Sequence, residues 1–116
     1  MTDWDDKEPI YVQLAQSVLE GIMRGTLGEG EPVPSVRQVA SQERINPLTV
    51  SRGYQLLVDD GLLEKRRGLG MFVANGARDK ALARERGRFL DEEWPKTRER
   101  IELFGLDLQT LLEKNS

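Results

Sequence analysis

The chain has no cysteine and no histidine among its 116 residues. Without cysteine there can be no disulfide, no thiolate nucleophile and no cysteine-ligated zinc. Without histidine, the commonest general base and the commonest metal ligand are also missing. An enzyme built from this sequence would depend on carboxylates, but the acidic pairs Asp59-Asp60 and Glu92-Glu93 are adjacent and point to different faces of a helix. We therefore expect no catalytic residue, no cofactor and no metal site.

Long hydrophobic runs are absent as well. No apolar run approaches the length that spans a bilayer, and residues 1–8 are acidic, unlike a signal peptide. The expected location is the cytoplasm. The formal net charge of −3 is unevenly spread, with 2 basic and 7 acidic residues in 1–34, 6 basic and 4 acidic in 35–75, and 9 of each in 76–116. The modest basic excess of the middle segment predicts weak non-specific DNA binding and a reliance on specific contacts.

The middle segment begins with two helix signals. Ser35 is a good N-cap, and Gln38 three residues later completes a capping box. Asn46 can cap the next helix. Pro47, which follows it, suits a first helical position. These signals predict helices over about 35–43 and 47–60, and an apolar stripe predicts an earlier helix over about 9–24. The stripe consists of Ile10, Leu14, Val18 and Ile22, with Tyr11 and Leu19 beside it.

A hairpin follows the 47–60 helix. Two short apolar runs flank a turn that contains Arg66, Arg67, Gly68 and Gly70, which predicts a wing over 62–74. The two arginines are well placed if the hairpin tip meets phosphates or enters a minor groove. The whole is mainly α with a small β wing, a winged helix-turn-helix that occupies residues 1–75.

The outer face of the 47–60 helix suits a DNA major groove. Val50, Tyr54 and Leu57 recur at helical spacing and are expected to face the core. The opposite side carries short polar groups and one arginine near the helix N-terminus. Such side chains reach base edges, and arginine can make two bonds to a guanine. The outward residues are Leu48, Thr49, Ser51, Arg52 and Gln55.

Four short sequence motifs resemble those of a known family. They are Pro-Ser-Val-Arg (34–37), Asn-Pro-Leu-Thr-Val-Ser-Arg (46–52), Asp-Gly-Leu-Leu (60–63) and Arg-Gly-Leu-Gly-Met-Phe-Val (67–73). Together they resemble the DNA-binding domain of GntR-type bacterial transcription regulators. With its short tail, the chain is similar to the small YtrA-like subfamily. The resemblance implies a sequence-specific regulator, most simply a repressor that binds an inverted-repeat operator as a homodimer. A winged helix that binds protein rather than DNA is the alternative.

The resemblance and the residue pattern together predict a set of DNA contacts. A short strand near Glu31 to Val33 is also expected to pair with the wing. The sequence departs from the family pattern at Arg44, where glycine is frequent, and at Leu69, where a basic residue is frequent. Arg44 is either left-handed or part of a differently shaped turn, and Leu48 either contacts a thymine methyl or covers the helix start. The predicted contacts are Ser35, Arg37, Arg44, Pro47, Leu48, Thr49, Ser51, Arg52, Arg66, Arg67, Gly68 and Gly70.

Residues 76–116 are predicted to form a separate helical dimerisation tail. Residues 77–88 are so charged that a solvated helix is expected there. A coiled-coil-like seam then passes through Pro95, which predicts a kinked or interrupted helix. Alternatively, Trp94 and Phe104 complete the core of the monomer, and a small-molecule effector near these two rings at the dimer interface is left open. The predicted dimerisation residues are Leu90, Trp94, Ile101, Phe104, Leu108, Leu111 and Leu112.

Overall fold

The computed structural model of the chain describes residues 4–114, so the first three residues of the expected acidic arm lie outside it. One compact unit ends at Leu82 and a second begins at Ala83. The elements, in chain order, are α1 (Ile10–Arg24), α2 (Val36–Glu43), α3 (Pro47–Asp59), β1 (Leu63–Arg66), β2 (Gly70–Val73), α4 (Ala77–Arg88), a π-helical segment (Phe89–Glu93), α5 (Trp94–Leu103) and α6 (Leu108–Lys114). Within the described residues, no helix is long and apolar enough to cross a membrane.

The helix-turn-helix has the predicted caps. The Ser35 hydroxyl accepts from the Gln38 backbone N–H at 3.1 Å, and the Gln38 side chain accepts from the Ser35 N–H. The Asn46 side chain accepts from the Leu48 N–H at 2.8 Å. Between the two helices Arg44 has φ 55° and ψ 48°, so the left-handed alternative is the one that occurs. These local bonds satisfy backbone donors that each helix start would otherwise leave open.

The first unit has a core built from α1, α3 and the wing. Its fully buried side chains include Ile22, Val50, Tyr54, Leu62 and Val73. Helices α1 and α3 pack closely at Gly53, where a Cβ atom would lie 2.9 Å from the Tyr11 carbonyl oxygen. The predicted inward face of α3 is confirmed, and it is this burial that turns the opposite face outward.

The wing is an antiparallel pair in which Leu63 lies opposite Val73. The connector before α2 adds a third, short edge, because Pro32 forms a bridge with Phe72. The Val33 N–H donates to the Met71 carbonyl at 2.9 Å, and the Val73 N–H donates to the Glu31 carbonyl at 2.9 Å. The predicted pairing of this short strand with the wing is thus confirmed, and it attaches the hairpin to the core.

The prediction of a solvated helix over 77–88 is wrong for the first part of α4. Ala77 and Ala81 are fully buried, and the Arg78 Nε donates to the Met23 carbonyl at 2.9 Å. Alanines four residues apart lie on one helix face and allow close packing without a large apolar side chain. The compact unit therefore continues to Leu82, beyond the expected boundary at residue 75.

The second unit contains the interruption that Pro95 predicts. The helix widens over Phe89–Glu93, where the Trp94 N–H donates to the Phe89 carbonyl five residues earlier. Pro95 then stands in the first turn of α5, a position at which its missing N–H costs little. Gly105 has φ 66°, and Asp107 accepts from the Thr110 N–H at 3.3 Å at the start of α6. Asp107 therefore caps the start of α6.

Candidate nucleic-acid interface

The outer face of α3 forms the centre of the candidate interface. Leu48 is 72% exposed, and Ser51, Arg52 and Gln55 are exposed as well. Leu48, Arg52 and Gln55 lie one turn apart along the helix, opposite the buried Val50. Thr49 is half-buried. This arrangement presents one cation flanked by short and apolar groups, which can meet base edges in a groove as wide as the B-DNA major groove.

Arg52 is held by an aromatic ring from another helix. Its guanidinium carbon lies 4.1 Å from the centroid of the Tyr11 ring in α1. The guanidinium carbon thus lies over the face of the ring, while the Arg52 side chain remains exposed.

The wing turn differs from the expected pair of tip arginines. Only Arg67 lies in the turn, followed by Gly68 at φ 77° and by Leu69, which is 72% exposed. Arg66 is the last residue of β1, where its guanidinium lies 4.2 Å from the Phe72 ring centroid and 3.6 Å from Glu64. Both φ values that the turn needs, at Gly68 and at Gly70 (φ 117°), favour glycine. Arg67 is therefore the more freely extended of the two cations.

A cleft of about 450 Å³ separates α3 from the wing. Polar and cationic residues line it together with the apolar Val36 and Met71, and the buried Tyr54 is also among its lining residues. Among the predicted contacts it brings together are two serines from the helices and two arginines with two glycines from the wing. Its polar and cationic lining residues are Ser35, Ser51, Gln55, Lys65, Arg66 and Arg67.

Tyr54 joins the start of α2 to α3. Its hydroxyl donates to the Pro34 carbonyl at 2.6 Å. Burial raises the pKa of Tyr54 to about 12, because the phenolate would lose its hydration. The neutral hydroxyl thus stays a donor throughout the physiological range, and it holds the capped end of α2 beside the cleft.

A second, open cleft of about 610 Å³ lies between α2 and the start of α3. Arg37 and Pro47 line it together with apolar side chains such as Val36 and Ile45. Arg37 and Arg44 are exposed. The predicted residues thus fall on the outer face of α3, on two clefts beside it, and at the left-handed turn.

Three residues of this surface were not among the DNA contacts predicted from the sequence. Lys65 lines the α3–wing cleft and Gln55 stands on the outer stripe, although neither was assigned to DNA contact. Tyr11 was assigned to packing, yet its ring carries Arg52. Gln55 has the same helical spacing as Leu48 and Arg52, so the sequence pattern could have identified it as a candidate contact. No local signal pairs Tyr11 with Arg52, because they belong to different helices. Among residues 4–114 there is no group of carboxylates that could hold a metal ion.

Comparison with known proteins shows the family to which the chain belongs. Residues 10–73 match the model of the bacterial regulatory proteins of the gntR family. The chain is 38% identical over 74 residues to the HTH-type transcriptional regulator YhcF of Bacillus subtilis, covering 64% of the chain and 61% of that protein. It is 37% identical over 70 residues to the transcriptional repressor YtrA of the same organism, covering 60% of the chain and 54% of that protein. The matched stretch therefore spans less than two thirds of either relative.

A solved structure extends the likeness to three dimensions. The GntR-family transcription factor YtrA from Sulfolobus acidocaldarius superposes with a TM-score of 0.60 at 33% identity, over 78% of this chain and 95% of that one. Residues 10–73, which match the family model, contain the capped helix pair and the wing described above. The chain belongs to the GntR family of regulatory proteins and is similar to its YtrA-like members.

Proposed function

We propose that the protein is a sequence-specific DNA-binding transcription regulator, most simply a repressor that occupies a promoter as a homodimer in the cytoplasm. The observation that carries this proposal is the outer face of α3 with its stacked Arg52, beside a cleft lined by wing cations. Family membership supports it, because the relatives it matches are transcriptional regulators and one is a repressor.

In this proposal α3 enters the major groove. Leu48, Ser51 and Arg52 meet base edges, where an arginine can bond a guanine at two positions and an apolar side chain can contact a thymine methyl. The wing lies along the flanking backbone, with Arg67 at a phosphate or in the minor groove. Arg37 and Arg44 contact phosphates beside the helix-turn-helix. The α3–wing cleft receives the intervening sugar-phosphate strand.

The homodimer is supported by the surface of the second unit. Among its described residues none is buried, although it is rich in leucine and carries two phenylalanines and a tryptophan. Leu90 is 58% exposed, Phe104 59% and Leu112 69%. Apolar groups at this density along amphipathic helices are stabilised when a second copy covers them. A two-fold dimer would present two α3 helices to one inverted repeat.

The test begins by selecting bound duplexes from a random-sequence library, since no operator need be assumed. The proposal predicts an enriched inverted repeat. Fluorescence anisotropy then compares the selected duplex with a scrambled one at two salt concentrations. Arg52→Ala should weaken binding to the selected duplex by about 1–3 kcal/mol and relax the base preference at one position of each half-site.

Arg67→Ala should act differently, weakening all duplexes alike and reducing the salt slope. Arg24→Ala is the matched control, since it removes the same charge from an α1 arginine that pairs with Glu20 at 2.7 Å. Absence of any enriched sequence would reject the DNA-binding proposal and favour a winged helix that binds protein. Equal effects of Arg52→Ala and Arg67→Ala on selected and scrambled DNA would reject the assigned roles.

A further inference from the structure

Tyr11 and Arg52 form a contact between the first helix and the outer face of α3. The guanidinium carbon of Arg52 lies 4.1 Å from the centroid of the Tyr11 ring. Tyr11 is half-buried, whereas Arg52 is exposed. At such a distance the positive guanidinium is attracted by the electron-rich ring face.

The position of the Tyr11 ring is fixed by the backbone beneath it. A Cβ atom at Gly53 would lie 2.9 Å from the Tyr11 carbonyl oxygen and 3.2 Å from the Leu14 side chain. The two helices are therefore in close contact directly beside Arg52. The absence of a side chain at position 53 allows this approach. The backbone that carries the ring is consequently held against α3 beside Arg52.

Stacking leaves the recognition capacity of Arg52 intact. A guanidinium that lies flat on a ring uses its face there and keeps its in-plane N–H donors for other partners. A free arginine side chain would lose much of its rotamer freedom on binding DNA, and that loss weakens the complex. An arginine already held on a ring has lost part of that freedom before DNA arrives.

We propose that Tyr11 is a positioning residue for DNA sequence recognition, which holds the Arg52 guanidinium flat and aims its donors at a base. The inference rests on the proposed DNA-binding function. It assigns to α1, outside the helix-turn-helix, a part in base preference. Tyr11 itself touches Arg52 and not the DNA.

The experiment is a double-mutant cycle on the selected duplex. Tyr11→Phe keeps the ring and should bind within about twofold of the unaltered protein, whereas Tyr11→Leu should lose about threefold to tenfold. The loss should be confined to the selected duplex and should relax the same base position as Arg52→Ala. In the Arg52→Ala background, Tyr11→Leu should have no further effect. Binding of the unaltered protein to the selected duplex tests the underlying function separately.

A second measurement does not depend on the leucine variant folding well. In the free protein, the side-chain δ protons of Arg52 should resonate upfield of their usual NMR position through the ring current of Tyr11, and Tyr11→Phe should retain the shift. Three results would overturn the proposal. They are an unshifted Arg52, a Tyr11→Leu loss that persists without Arg52, and a Tyr11→Phe loss equal to that of Tyr11→Leu, which would assign the hydroxyl to direct contact.

Discussion

Single residues combine structural roles with proposed recognition roles at the candidate interface. Ser35 caps α2 through its hydroxyl oxygen and also lines the α3–wing cleft, so its hydroxyl proton is still available to a phosphate. Arg44 adopts a left-handed backbone that glycine or asparagine would adopt more easily. In a folded chain such strain persists only where the surrounding structure holds it, and it is frequent at functional sites.

Replacing Arg44 by glycine should therefore have opposite effects on folding and on DNA binding. The glycine relieves a backbone penalty on the order of 1 kcal/mol, partly offset by the added freedom of the unfolded chain. We expect the free energy of unfolding in urea to rise by a few tenths of a kcal/mol up to about 1 kcal/mol. Affinity for all duplexes should fall as one phosphate contact is lost. Arg44→Asn is the control, because it removes the charge and tolerates the same φ. Unchanged DNA affinity in both variants would show that Arg44 does not contact DNA.

Tyr54 predicts an alkaline transition in stability. Its folded pKa of about 12 lies above the value of 10.0 that is usual for a solvated tyrosine. The neutral form is thus favoured by folding, so the contribution is fully present below pH 10 and is lost as pH rises from 10 towards 12. We expect the free energy of unfolding to fall by up to about 2 kcal/mol across that window.

Urea unfolding between pH 8 and 11.5 measures the effect of Tyr54, and Tyr54→Phe supplies the control. The variant should lose about 1 kcal/mol at neutral pH, because the Pro34 carbonyl loses its donor, and should show a flatter alkaline limb. If the variant and the unaltered protein fall equally above pH 10, the transition belongs to other groups.

At the scale of secondary-structure elements, the helix changes its geometry just before Pro95. The π-helical segment Phe89–Glu93 ends two residues before Pro95 and inserts one extra residue into the helix. That extra residue rotates everything after it by about 100° around the helix axis relative to a regular helix. The apolar face of α5 is thus set by the segment as well as by the spacing of its side chains.

Pro95→Ala should therefore regularise the helix and misdirect its apolar face. With the proline ring gone, the regular hydrogen bond becomes available, and we expect helical content by circular dichroism to rise. The proposed dimer should weaken, because Ile101 and Phe104 would rotate by about 100° from the direction that the π-helical segment gives them. Sedimentation equilibrium measures the dimer, and Lys96→Ala, one position further along, is the control. A dimer that becomes tighter would show that the π-helical segment does not set the interface.

At the scale of the whole molecule, the charge distribution separates the proposed roles. The net charge is −3, yet the segment 35–75 has two more basic than acidic residues, and 76–116 has equal numbers. Specific contacts must therefore supply much of the affinity, since a protein with few phosphate-neutralising cations gains little from counterion release. The exposed apolar residues of the second unit match a role in pairing copies rather than in touching DNA.

Phe104→Lys should test this division of roles. Phe104 is 59% exposed, so the monomer fold should tolerate the change within about 0.5 kcal/mol. A charge placed in the proposed dimer interface should convert the dimer to monomer in light scattering after size exclusion. Binding to the full inverted repeat should weaken far more than binding to a single half-site. Lys96→Glu, which alters charge on the same helix, is the comparison, and a Phe104→Lys protein that remains dimeric would place the interface elsewhere.

Local sequence was enough to predict much of the fold. The capping box of Ser35 and Gln38, the Asn46-Pro47 helix start, the glycine turn of the wing and the interruption at Pro95 each depend on neighbours within a few residues. The inward face of α3 follows from helical period alone. The outer face then follows by exclusion, and with it Leu48, Ser51 and Arg52 as candidate contacts.

Tertiary structure alone decided the rest, because the partners are distant in sequence. The burial of Ala77 and Ala81 depends on the core surface that receives them, and their small side chains give no hydrophobic signal. From the sequence alone, Gly53 is a residue that destabilises a helix. The structure shows that it allows the Tyr11 backbone of α1 to approach α3 closely. The contact of Arg52 with the Tyr11 ring likewise requires two helices to be brought together. Backbone conformation is dictated by near neighbours, whereas the aim of a long side chain is dictated by whatever the fold places beside it.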